Sequence, residues 1–210
     1  LSFKNLTTEE TLPFGPLLLK YPIYYAINDT VNYYSEENYH SMNITIRNAK
    51  KDELHAIRRQ RVEAYADHKE AIPEAHWGAL RQAISSEADQ QPGVELLVAE
   101  MDENIVGSVA LFPANTDAYE GFVEEVNYPE IRVLAVAPSY RGKGVATALL
   151  NECFHLARAQ GFHEIGLHTG EFMKTAIALY EQSGFKRLPQ HDFEPANDGV
   201  IVKAFKRSIS

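Results

Sequence analysis

Cysteine is nearly absent from this chain: Cys153 is the only one in 210 residues. A disulfide needs two thiols and a thiolate metal cage needs more, so neither is open to the fold, and a reducing cytoplasm is the compartment expected. Long apolar runs are missing as well. No stretch approaches the ~20 residues of a membrane span. The short apolar segment Pro13 to Leu19 has neither a basic lead-in nor a small-residue cleavage pattern, so a soluble, unexported protein is expected. Positive charge is in deficit, with 20 Lys and Arg against 29 Asp and Glu and a net charge of −9. Such a surface repels phosphate backbones and anionic headgroups, which argues against nucleic acid and membranes as partners. The eight histidines stand in no His-x-x-x-His or comparable ligand spacing, so no metal is expected.

What the chain does contain is enough apolar material, 45% of its residues, for a packed interior, and a length that suits one domain plus an extension. Residues 1–41 are the extension. They are rich in tyrosine (Tyr21, Tyr24, Tyr25, Tyr33, Tyr34 and Tyr39) and show no sustained helical or strand period. Met42 directly precedes the first strand-like segment, which leaves two readings. Residues 1–41 are either an upstream reading frame, not native and poorly ordered, or a genuine segment whose aromatics pack on the domain at 42–210 or on a partner.

Within 42–210 strands and helices alternate. Ile44 to Arg47 reads as a strand, and Leu54, Ile57, Val62 and Tyr65 recur at near-helical spacing behind Asp52 and Glu53. A second helix runs from Pro73 through Trp77, Leu80 and Ile84. Val94 to Glu100 and Ile105 to Phe112 flank Asp102-Glu103-Asn104 as an antiparallel hairpin. The loop Pro113 to Pro129 carries Asp117, Glu120, Glu124 and Glu125 without a Lys or Arg. Beyond it come a strand at Glu130 to Val136 and a helix with an apolar stripe at Ala146, Leu149, Leu150, Cys153, Phe154 and Ala157. A strand at 163–168, a helix ending at Gly184 and a last strand at 200–205 complete the pattern. The predicted fold class is α/β with a mixed sheet.

The stretch from Val133 to Leu150 says most about function, because strand, tight turn, glycine loop and helix start follow one another without a gap. The first amides of a helix lack intrahelical partners and the aligned peptide dipoles add partial positive charge, so that end of a helix stabilises an anion. Gly142 and Gly144 carry no Cβ, which lets phosphate oxygens approach the backbone of Arg141 to Ala146. Arg141 and Lys143 add cationic charge beside it. Two other phosphate-binding patterns do not fit. A dinucleotide fingerprint closes with a third small residue directly after the strand, whereas Pro138-Ser139-Tyr140-Arg141 intervenes here and position 147 is Thr. A P-loop ends in Gly-Lys-Ser/Thr, and this chain has Gly-Lys-Gly.

The order Leu-Ala-Val-x-Pro-x-x-Arg-Gly-x-Gly-x-Ala at 134–146 resembles the acetyl-coenzyme-A motif of the GNAT superfamily of N-acetyltransferases. Ala176 to Phe185 is similar to that family's Ala-x-x-Leu-Tyr-x-x-x-Gly-Phe segment. The resemblance spans roughly 42–207 and implies the family's acyltransferase fold, acetyl-coenzyme A as co-substrate and direct transfer of the acetyl group to a primary amine of a small molecule or peptide. It places the cofactor against Leu134, Ala135 and Val136 of the central strand and against Arg141, Gly142, Lys143, Gly144, Val145, Ala146 and Thr147. It also implies that Tyr180 protonates the leaving thiolate and that Glu130 deprotonates the amine through water. Many members carry Asn three residues before the Ala176 position, where this chain has Met173. The bland readings remain beside these: Glu130 pairs with Arg132 on the same strand face, Tyr180 is a core aromatic, and Cys153 is packing. An acyl-coenzyme-A sensor without turnover, and nucleotide binding without acyl chemistry, are the competing functions. The acidic loop at 117–125 points to a cationic acceptor, and a homodimer is compatible with the family.

Overall fold

Leu97, Ala99 and Met101 face one hydrophobic core while Leu96 and Val98 face another, so the strand that carries them is buried on both sides. Period-two alternation between two cores explains why this part of the sequence reads as a near-continuous apolar run. The computed structural model describes residues 25–27, 30–33, 43–116 and 125–210. In chain order the strands and α-helices are β1 (Tyr25–Ile27), β2 (Thr30–Tyr33), β3 (Ile44–Asn48), α1 (Leu54–Tyr65), α2 (Glu74–Ile84), β4 (Glu95–Met101), β5 (Asn104–Phe112), β6 (Glu130–Val136), α3 (Val145–Ala159), β7 (Glu164–Gly170), α4 (Lys174–Gln182), β8 (Lys186–Arg187) and β9 (Val202–Ser208). Among the described residues they form one mixed sheet in the order β1-β2-β3-β4-β5-β6-β7-β9-β8, antiparallel throughout except where β6 lies parallel to β7. The α/β mixed-sheet class expected from the sequence is the class observed.

The helices divide between the two faces. The stripe of α3 (Leu149, Leu150, Cys153, Phe154, Ala157) packs with Tyr180 of α4 on Ile46, Leu97, Val109 and Leu111. Ile57 of α1 packs on Val98, Ala110 and Phe112 of the opposite face. Two details of the predicted stripes differ. Ala148, not Ala146, is buried on α3, because the helix begins at Val145 and its rotation is set from there. On α1 the buried positions are Ile57, Arg61, Ala64 and Tyr65, with Val62 at the margin.

The hairpin between β4 and β5 turns at Asp102 (φ 49°) and Glu103 (φ 64°), two positive-φ residues that match the right-handed twist of its strands. Within 1–41, the expectation of no strand period is corrected. β1 and β2 pair with each other, and β2 pairs with β3 through Val31 opposite Ile46, which extends the sheet by a hairpin. The rest of that stretch, and with it the question of its origin, lies outside the described residues.

Gly107 of β5 is where this architecture allows a close approach. A Cβ there would lie 2.9 Å from the Ala135 carbonyl oxygen, 3.0 Å from Val145 Cγ1 and 3.3 Å from Leu149 Cδ1. The missing side chain lets the start of α3 sit directly against the sheet. Gly107→Ala is expected to lower stability by about 1–3 kcal/mol through overpacking, read as a fall in the urea midpoint; an unchanged midpoint would mean that α3 moves away without penalty.

Candidate active site

The site begins with an irregularity in β6. Arg132 pairs with Ala110 and Ala135 with Ser108, so Val133 and Leu134 together oppose a single residue of β5, which is a β-bulge. Val133 takes φ 48° there, a left-handed conformation that a β-branched side chain tolerates poorly, at a cost of roughly 1–3 kcal/mol. On its other edge β6 pairs with β7 only through Glu130 with Gly166 and Ile131 with Leu167. Past Ile131 the central strand therefore has, among the described residues, an edge that no other strand pairs. The Ala137 amide donates to the Val106 carbonyl on the β5 side (2.8 Å), and successive amides of an extended chain point to opposite edges, so the Val136 amide points to the opened side.

The glycine loop follows at once. Gly142 and Gly144 stand at φ 72° and 83°, where glycine alone is unstrained, and a Cβ at Gly142 would meet open space. The first intrahelical bond of α3 runs from the Ala148 amide to the Gly144 carbonyl (3.0 Å), which leaves the amides of Val145, Ala146 and Thr147 ahead of it. The Val145 side chain is buried in the core, so only its backbone serves the loop, whereas Thr147 is exposed. Arg141 is tied sideways to α1 and the turn after it: its guanidinium pairs with Asp67 and donates to the Ala64 carbonyl (2.8 Å). Lys143 lies over the Tyr140 ring at 4.8 Å.

Beside the open edge lies a cavity of about 700 Å³, walled by α1, α2, β6, the end of β7, Met173 before α4 and Tyr180 on it. Leu134, Tyr180, Met173 and His168 line it together with Tyr65 and Arg61. Tyr180 is 6% exposed, with its ring against Phe185 and Phe205 at centroid distances of 5.9 and 6.4 Å. Burial pushes its phenol pKa up, so the hydroxyl is held protonated. The ring is thus core packing and cavity wall at once. Met173 stands at the N-cap of α4, where it makes no side-chain cap bond, and accepts from the Thr169 hydroxyl through sulfur (3.5 Å). Cys153 is fully buried, and burial raises its thiol pKa.

Glu130 is placed differently from the expectation of a carboxylate facing the acceptor through water. It is 4% exposed and lies outside the ring of residues lining the cavity. One carboxylate oxygen accepts from Arg132 (3.2 Å) and the other contacts His168 Nδ1 (3.0 Å). The pairing with Arg132 follows from their two-residue spacing; the approach of His168 follows from the parallel β6–β7 register. His168 is therefore the group that connects Glu130 to the cavity. Of the acidic loop, Asp117, Glu120 and Glu124 lie outside the described residues, and Glu125 borders a separate shallow depression beside Tyr128 and Lys206. His168, His76, Tyr65 and Arg61 were missed as cavity residues. Arg61 left a signal, because positions 57, 61, 64 and 65 form one helical face and an arginine interrupts it.

A bulged central strand, an open edge and a glycine loop at a helix start meet beside one cavity, and similarity to known proteins assigns the chain to a family. The sequence pattern of the Acetyltransferase (GNAT) family matches residues 54–185, and the chain belongs to that family. It is 34% identical to human N-acetyltransferase 8B over 100 residues, 46% of this chain and 40% of that protein. It is also 34% identical to the uncharacterized N-acetyltransferase YjgM of Escherichia coli over 98 residues, 47% of this chain and 54% of that one. The matched stretch thus spans about half the length of these relatives or less. Among solved structures, the PaiA N-acetyltransferase of Thermoplasma acidophilum in complex with coenzyme A superposes with a TM-score of 0.58 at 18% identity, covering 80% of this chain and 99% of that one. That likeness is one of fold.

The Glu130 cluster has a stability consequence of its own. Glu130→Gln keeps the side-chain size but removes the buried charge that contacts both Arg132 and His168, so unfolding free energy is expected to fall by about 1–3 kcal/mol in urea titration. An unchanged value would mean that Glu130 is not structurally engaged.

Proposed function

We infer that the chain transfers an acetyl group from acetyl-coenzyme A directly to an amine of a small molecule or peptide. The observation that carries this reading is one edge of the sheet that combines the opened β6, the left-handed glycines and the free amides at the start of α3. Membership of the acetyltransferase family supports it. The residues present fit the cofactor: a pyrophosphate seated on the amides of Arg141 to Ala146 meets partial positive charge and, at Gly142, open space. When bound, the thioester supplies an activated acyl carbon.

The chain's own groups then have separate tasks. The Val136 amide at the open edge donates to the oxyanion that forms when the amine nitrogen attacks the acyl carbon. Tyr180, kept protonated by burial, gives its proton to the sulfur as the carbon–sulfur bond breaks. The proton lost by the amine leaves through His168, with Glu130 behind it. The products are an acetamide and the free coenzyme A thiol. A second reading, an acyl-coenzyme-A sensor with little turnover, is favoured by one observation, the engagement of both Glu130 oxygens. Thiol release with an amine panel separates the two.

Two variants test the assignment. Gly144→Glu places a side chain and a negative charge in the loop and is expected to abolish coenzyme A binding in calorimetry while the protein stays folded; retained binding would remove the loop from the site. Tyr180→Phe is expected to lower kcat by ~10²–10⁴-fold with coenzyme A affinity nearly unchanged, the span of a general acid. Wild-type turnover from that variant would leave Tyr180 a packing residue.

A further inference from the structure

The acceptor side of the cavity contains a cation with an unused edge. Arg61 is 1% exposed, lines the cavity, and spends only Nη1 on the protein, donating to the Ile84 carbonyl (2.9 Å) and Asp89 Oδ2 (3.1 Å). Its Nε and Nη2 are buried and have no hydrogen-bond partner among the described residues. These two nitrogens carry the parallel N–H bonds of the guanidinium side edge, the geometry that takes a carboxylate bidentately. Both atoms are closed off from water, that of the cavity included, so a carboxylate engages them through a small turn of the Arg61 side chain toward the cavity it lines, and leaving them unsatisfied is costly.

Charge points the same way. Asp89 is shared by Arg61 and by Arg58, whose Nη2 contacts Asp89 Oδ1 at 2.8 Å. Glu87, the other partner of Arg58, is 81% exposed in its side chain and so largely screened by water. Two guanidiniums therefore rest on one buried carboxylate, and the surplus positive charge sits at the cavity wall. Burial pulls the pKa of Arg61 below its usual value, the direction of a cation short of counter-charge, yet an arginine keeps its proton. Tyr65, next along the same helical face, also lines the cavity; burial pushes its phenol up to about 12, so it is a second donor. Much of the remaining wall is apolar, including Leu80, Phe112, Val133 and Phe172.

We propose that the acceptor amine also carries a carboxylate, bound by the Nε–Nη2 edge of Arg61, so that the substrate class is an amino acid or a like amino-carboxylate with an apolar body. This rests on the acetyl-transfer reading for its amine, but the carboxylate subsite is a property of Arg61, Asp89 and Tyr65 alone. Glu125, the described acid of the loop expected to favour cations, lies outside the residues lining the cavity, whereas Arg61 lines it.

The test compares phenylalanine, phenylalaninamide and phenethylamine in two assays: calorimetric binding to the protein with coenzyme A present, and acetyl-coenzyme-A-dependent thiol release. The wild-type protein is expected to bind and use the acid about ten- to a hundredfold better than the amide or the descarboxy amine. In Arg61→Gln that preference should collapse to near one while coenzyme A still binds. Equal use of acid and amide by the wild-type protein overturns the proposal even if the variant fails to fold, as does a preference that survives in a folded Arg61→Gln. Selective binding of the acid without any thiol release upholds the carboxylate subsite and counts against acetyl transfer. Thiol release without acid preference does the reverse.

Discussion

Everything at this site depends on the parting of β6 from β7. The two parallel strands are joined only at Glu130/Gly166 and Ile131/Leu167, and just beyond that point the bulge at Val133–Leu134 turns β6 away on its other side. A continuous ladder would have consumed the amides of the central strand in backbone bonds. Instead the strand keeps its attachment to β5 and presents an open edge to the cavity. The positive φ of Val133 is the local cost of that arrangement, and strain of this kind persists only where surrounding packing fixes it. Val133 packs against two hydrophobic clusters, one containing Ile57 and Phe112 and the other Tyr65, which supply that constraint.

Packing on both faces holds the opened strand in place. On one side α3 sits against the sheet at Gly107, close enough that the glycine loop begins level with Val136. On the other, α1 and the turn after it are tied to the loop itself through Arg141, Asp67 and the Ala64 carbonyl. The loop, the open edge and the helix that bears Arg61 are therefore mechanically connected. In this arrangement the glycine loop and the Arg61 end of the cavity are set by the same few contacts.

Much of this was legible in the sequence, and for identifiable reasons. The strand–loop–helix run at 133–150 is local, with its glycines and apolar stripe adjacent in the chain, so its form followed from spacing alone. Gly184 likewise takes φ 84° and its amide and that of Phe185 close the end of α4 on Glu181 and Tyr180, as the Gly-Phe pair indicated. What could not be read were relations between distant segments. His168 reaches Glu130 across 38 positions, and Arg61 reaches Asp89 across 28. The bulge has no residue signature either, since Val133 is an ordinary strand residue placed in an unusual conformation. The hairpin of β1 and β2 was missed because its strands are three and four residues long, too short for a period to register.

The central claim is that the opened edge of β6 and the start of α3 together form the seat of the cofactor. The direct measurement is a titration of ¹⁵N-labelled protein with coenzyme A, followed residue by residue in amide shifts. The account predicts that the largest changes fall on Val136 and on Gly142 through Thr147, with smaller ones at Tyr180 and its neighbours on α4. Saturable binding whose shifts cluster elsewhere, leaving those amides unmoved, would contradict it.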